Sequence, residues 1–167
     1  KIMLPGDFIA MKLTGEITTT IAALSEGMFW AFKHNCLSEA VMNYYGLDPQ
    51  HIPAIKNVFD THGYITEHIA SELGIPKGIS VTYKAGDQQN NALSLNVLNP
   101  GEVAATAGTS AVIYAVSDSL QADTASRVNS FAHVNHTLEQ NRIGVLLCIN
   151  GAGISNSWMK HKVGARS

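Results

Sequence analysis

Apolar positions along the chain follow two spacings, one helical and one extended, and their alternation predicts an α/β fold. Phe8, Ile9, Met11 and Leu13 make a short helical stripe; Pro5 suits its first position and Gly15 the left-handed residue past its end. Ser38 to Tyr45 is helix-like through Ala40, Val41, Tyr44 and Tyr45, and Gly46 stops it before a loop around Pro49 and Pro53. Thr66 is an N-cap for Glu67 to Leu73, which Gly74-Ile75-Pro76 terminates. Ile79 to Ala85 reads as a β-branched strand running into Gly86-Asp87-Gln88-Gln89, with a helix continuing through Ala92, Leu93, Leu95 and Val97. The stretch Thr18 to Gly27 fits helix and strand equally, and Met28 to Phe32 fits either a short buried strand or an extended segment.

The second half is mainly extended. Asn99-Pro100-Gly101-Glu102 is a turn signature and the one plausible domain boundary. Val103 to Ala107 and Ala111 to Val116 read as a hairpin with Gly108-Thr109-Ser110 at its tip. A polar loop, Asp118 to Val128, precedes strands at Ser130 to His133 and Arg142 to Ile149. Asn150-Gly151-Ala152-Gly153 then turns into a helix from Ile154 to Lys160.

Composition narrows the partners. The 167 residues are 46% hydrophobic and only 14% charged, against about a quarter in ordinary domains, which reads as a piece of something larger. With 11 Lys and Arg against 13 Asp and Glu, the chain offers no basic footprint for nucleic acid and no basic face for a membrane. No apolar run approaches the roughly 20 residues of a bilayer span, and the opening Lys1 to Gly6 lacks the apolar core of a signal peptide. Two cysteines, Cys36 and Cys148, point to a reducing compartment, the cytoplasm.

The chemistry concentrates at two short motifs. Asp87 stands on a strand-to-helix turn after Gly86, where a substrate can approach the backbone and a carboxylate can take a proton from a hydroxyl. The same position also suits an Asp that merely caps the helix. Gly108-Thr109-Ser110 offers amides and two hydroxyls in a tight tip that could cradle phosphate, or is a plain β-turn. Gly151-Ala152-Gly153 has only part of a dinucleotide fingerprint and reads as turn geometry. His133 and His136 lack the company of a metal site and read as structural or surface residues. Trp30, Tyr44, Tyr45 and Trp158 read as core or interface.

Taken in order, Leu4-Pro5-Gly6-Asp7-Phe8, Lys12-Leu13-Thr14-Gly15-Glu16, Ala85 to Ala92, Asn99-Pro100-Gly101 and Ala107-Gly108-Thr109-Ser110 resemble the FGGY carbohydrate kinases. Phe131 to His136, Leu146 to Gly151 and Trp158-Met159-Lys160 are most similar to the members that phosphorylate D-xylulose. The resemblance implies a ribonuclease H-like, actin-like ATPase fold, with residues 1–98 ending a first domain and 99–167 opening a second. It implies Asp87 as general base on a sugar hydroxyl, with Gly86 and Gln88 lining the sugar site and Gly108, Thr109 and Ser110 on the phosphates of ATP. Magnesium would arrive with the nucleotide rather than on a metal site of the chain. A homodimer is implied too.

The family's amino-terminal Asp-x-Gly-Thr strand, its early sugar-holding residues and its later Gly-rich adenosine segment have no counterpart here. The chain therefore resembles an internal fragment, inactive alone. Thr18-Thr19-Thr20 stands where many members carry Thr-Asp. Ribulose, gluconate or glycerol as the substrate, or a non-catalytic fragment that binds sugar or a partner, are the alternatives.

Overall fold

The computed structural model describes residues 1–163. Helix α1 spans Pro5–Thr14 and ends where Gly15, at φ +79°, returns its N–H to Met11 O. The ambiguous stretch resolves into two elements. Strand β1 is Thr18–Thr20, all three residues buried, and helix α2 is Ile21–Glu26. Thr20 is what separates them: its backbone is extended and its hydroxyl accepts the Ala23 N–H, satisfying a first-turn amide of α2.

Met28 to Phe32 contributes strand β2, Trp30–Ala31, which pairs antiparallel with β3, Cys36–Leu37. Helix α3, Glu39–Tyr44, follows with Ser38 as its cap. After a 3₁₀ turn at Pro49–His51, strand β4, Ala54–Lys56, lies parallel to β1 with Thr18 opposite Ala54. Three residues between prolines and polar groups carry too little alternation to announce this strand, and pairing supplies what pattern lacks.

Strand β5, Gly63–Tyr64, leads to helix α4, Glu67–Leu73, capped by Thr66 and closed by Gly74 at φ +67°. The expected strand Ile79–Ala85 is corrected to a short β6, Ser80–Val81, paired with β5. Beyond it the chain leaves the ladder because Lys84 turns its side chain into the protein. Helix α5 is Asp87–Ser94, shorter than the apolar residues suggested, since Asn96 adopts φ +57° and Val97 already turns back to Ala92 O.

The second half is one antiparallel sheet in the order β7-β8-β10-β9, formed by Val103–Ala107, Ala111–Ser117, Ile143–Ile149 and Asn129–Ala132. Helix α6, Gly153–Val163, follows it. The Asn99 to Glu102 turn forms as expected, with Gly101 at φ +90° and the Glu102 carboxylate accepting from the Leu98 and Asn99 amides.

One core cluster joins α5 to the sheet through Ala92, Val97, Ala104, Tyr114, Val116 and Leu146. A second, with Ala22, Val58, Ala132 and Val134 at its centre, ties α2 to β9, and Ser25 Oγ accepts the Ala132 N–H at 2.8 Å inside it. His133 is wholly buried, its ring nitrogens facing Tyr114 Oη at 2.9 Å and Val97 O at 3.0 Å, a structural role. The aromatic expectation is corrected in part: Tyr44, Tyr45 and Trp158 are exposed and fill no core, because each lies on the outer face of a short helix or just past its end. No helix among the described residues is long and apolar enough to cross a membrane.

Candidate functional site

Asp87 is the first residue of α5, and Gly86, not Asp87, occupies the cap position. The carboxylate is therefore not spent on the helix's own amides, and it sits on the positive end of the helix dipole with an exposed side chain. Gln88 Nε2 donates to Asp87 Oδ2 at 3.1 Å.

Next to Asp87 lies a cavity of about 340 Å³. Leu4 to Asp7 form one wall, Thr20, Ala23 and Glu26 a second, and Lys84 to Asp87 a third. Beneath it Lys84 Nζ reaches Asp7 Oδ1 at 2.7 Å, with both side chains almost completely buried. The same ammonium donates to Thr18 O at 2.7 Å and to Thr18 Oγ1 at 3.0 Å. Thr19 Oγ1 donates to the other Asp7 oxygen at 2.6 Å. All three ammonium protons are thus used, which is what a buried lysine needs to stay charged. His62, fully buried, stands 3.4 Å from Thr18 Oγ1, and burial holds its ring below its usual proton affinity.

Glu26 ends α2 and leans against the start of α5. Gln89 Nε2 donates to Glu26 Oε1 at 2.6 Å. Burial pushes the Glu26 carboxyl above its ordinary range, the bond from Gln89 draws it partly back, and the nearby charges of Asp87 and Asp7 push it up again. A side chain at Gly86 would overlap Glu26 Oε1, so glycine there leaves room for the Glu26 carboxylate in its present position; the backbone angle makes no such demand.

The cavity gathers Gly86 and Asp87 and leaves two other expected groups apart from it. Gln88 is half-buried behind Asp87 and is not among the lining residues. Gly108, Thr109 and Ser110 form the tip of the β7–β8 hairpin, exposed and packed against the start of α6: Gly153 N–H donates to Gly108 O at 2.9 Å and Ile154 N–H to Thr109 O at 3.1 Å. Gly108 N–H closes the tip onto Ser110 O at 2.8 Å, while the hydroxyls of Thr109 and Ser110 have no partner among the described residues. Among the described residues no group of three His, Cys, Asp or Glu is arranged to hold a metal.

Sequence reasoning named Asp7 and Thr19 only as parts of motifs and missed Lys84 and Glu26. Lys84 could have been suspected from its place two residues before Gly86. Nothing local announces Glu26.

Residues 1–94 match the model of the N-terminal domain of the FGGY family of carbohydrate kinases. The chain belongs to that family. Its fold is part of the ribonuclease H-like, actin-like ATPase fold of FGGY kinases. It is 31% identical over 157 residues to a xylulose kinase of Streptomyces rubiginosus, covering 87% of this chain and 32% of the relative. A xyloylose kinase from Brucella ovis superposes with a TM-score of 0.85 at 22% identity, over 98% of this chain and 33% of that one. A gluconate kinase from Lactobacillus acidophilus superposes at 0.82 and 17% identity, over 93% of this chain and 30% of that one. The chain thus spans about a third of the length of the FGGY relatives it matches.

Proposed function

We propose that this chain carries the catalytic carboxylate of an ATP-dependent sugar kinase that converts D-xylulose to D-xylulose 5-phosphate. The observation that carries the reading is Asp87, exposed at the head of α5, free of capping duty and beside a cavity walled by residues from three separate segments. The xylulose kinases among its relatives supply the sugar.

In this reading the terminal hydroxyl of the sugar lies against Asp87. As its oxygen bonds to the γ-phosphorus and the bond to the ADP oxygen breaks, Asp87 accepts the hydroxyl proton. Gly86 lines the sugar site with Glu26 against it, and Gln88 holds one Asp87 oxygen so that the other faces the hydroxyl. The first-turn amides of α5 favour the negative charge that builds up during transfer.

The hairpin tip takes the phosphates of ATP: its unengaged hydroxyls on Thr109 and Ser110 suit anionic oxygens, whereas its Gly108 amide is already used. Magnesium would arrive with the nucleotide rather than on side chains of this stretch, and would neutralise part of the phosphate charge. Residues 1–98 then close the first kinase domain and 99–167 open the second, in a cytoplasmic enzyme, a homodimer, of which this stretch alone is inactive.

The test is ADP release by the full-length protein with D-xylulose. Asp87→Asn is expected to lower kcat by about a hundred- to ten-thousand-fold with the melting temperature unchanged, and retained turnover overturns the assigned base. A panel with ribulose, gluconate and glycerol decides the sugar. A nucleotide that at a hundredfold excess over its Kd fails to add the roughly 2.7 kcal/mol of linkage favours a non-catalytic binding role instead.

A further inference from the structure

Asp87 is not the sole carboxylate open to the cavity. Of the three acidic residues lining it, Asp7 is consumed by Lys84 and Thr19, and Asp87 is the proposed base. Glu26 remains. Its Oε1 is fixed by Gln89, while Oε2 receives no hydrogen bond among the described residues and is not sealed from solvent. Lys84, the one cation in the cavity wall, is fully engaged elsewhere, so Glu26 has no counter-charge. A half-buried carboxylate at a helix C-terminus, near two like charges and held in place by an amide, is costly to keep for packing alone. Glu26 Oε1 also fills the space that a side chain at position 86 would take, so the carboxylate lies directly against the backbone of the motif.

We propose that Glu26 is a substrate-contacting residue: its free oxygen accepts a hydrogen bond from a hydroxyl of the polyol other than the one that Asp87 deprotonates, so the sugar is gripped by two carboxylates on adjacent helices. This rests on the kinase reading and deepens it. A ligand with two or more hydroxyls, spaced to reach from the end of α2 to the start of α5, satisfies both groups; a mono-alcohol cannot. Glu26 thereby selects among sugars, and Gln89 orients it.

The experiment is calorimetric binding of D-xylulose and its monodeoxy analogues to the full-length protein, wild type against Glu26→Ala and Glu26→Gln, with steady-state kinetics beside it. Glu26→Ala is expected to weaken sugar binding about ten- to a hundredfold, mainly in KM, and Glu26→Gln, which keeps an acceptor, to recover most of that loss. One monodeoxy analogue should bind the wild type more weakly than D-xylulose yet bind Glu26→Ala as well as D-xylulose does. Equal sugar affinity of wild type and Glu26→Ala overturns the inference while leaving the kinase reading standing. So does a loss that every analogue shares equally. A wild type that turns over neither D-xylulose nor the other sugars overturns the kinase reading, and this inference falls with it.

Discussion

Around the cavity, groups that touch one another come from three distant stretches: Asp7 from α1, Thr18 to Glu26 from β1 and α2, and Lys84 to Asp87 from the approach to α5. At the hairpin tip, three consecutive residues make up the region, and their nearest support is the next helix start, at Gly153 and Ile154. The first region is held by buried charge and the second by backbone geometry. The difference teaches where damage will appear. A substitution in the cavity floor threatens the fold before it threatens chemistry, whereas one at the tip can touch ligand binding alone.

Lys84→Ala should produce the largest loss of stability. It leaves Asp7 charged and nearly inaccessible without its partner, at a cost of about 3–5 kcal/mol in a urea unfolding experiment. A loss under about 1 kcal/mol would mean that water relieves Asp7 once Lys84 is gone. Gly86→Ala ranks next. Its new methyl displaces the Glu26 carboxyl from Gln89, for about 1 kcal/mol, at the low end of overpacking because the atom it meets terminates a side chain. Combining it with Glu26→Ala should remove most of that penalty; additivity of the two would show that the clash lies elsewhere.

The pH response sharpens the contrast from another side. His62, His133 and His136 are buried with proton affinities below their ordinary 6.5, so the folded protein binds fewer protons than the unfolded chain. Their contribution is present above pH 6.5 and is lost as the pH falls through their lowered folded values. The Glu26 carboxyl, raised in the fold, works with the opposite sign at lower pH. Unfolding midpoints should therefore drop between pH 7.5 and 5.5, and a flat profile there contradicts the burial of these rings. The smallest effect belongs to the tip. Thr109→Ala and Ser110→Ala should change stability by no more than about 0.5 kcal/mol, both side chains being exposed, while weakening nucleotide binding. Melting curves with and without ATP check both halves of that statement.

What could be read from the chain follows the same division. The turns that carry Asp87 and Gly108-Thr109-Ser110 were legible because a turn motif is contiguous, and the long hairpin strands announced themselves by composition. The helices with side-chain caps, such as α4 after Thr66, were equally clear. Thr18-Thr19-Thr20 was not, since three like residues have no period; only the parallel partner β4 places all three in a strand, and the Thr20 cap on Ala23 starts the helix right after them. Glu26 was invisible because its meaning lies in Gly86 and in Gln89, the latter 63 residues away. Lys84 sat in plain view within an apparent strand, yet the pull of Asp7 that ends that strand has no local trace.

The Asp7–Lys84 pair joins positions 77 residues apart. Until that clasp closes, nearly half the chain is an open loop, and the entropy of closing it must be overcome before the ion pair returns anything. Helices α1 and α5, by contrast, can start from local signals. The cavity is therefore assembled late, and a nascent chain leaves Asp7 without its partner until the segment carrying Lys84 has been made. A sugar that fills the cavity would act as a clamp on that closing step, slowing unfolding more than it speeds folding.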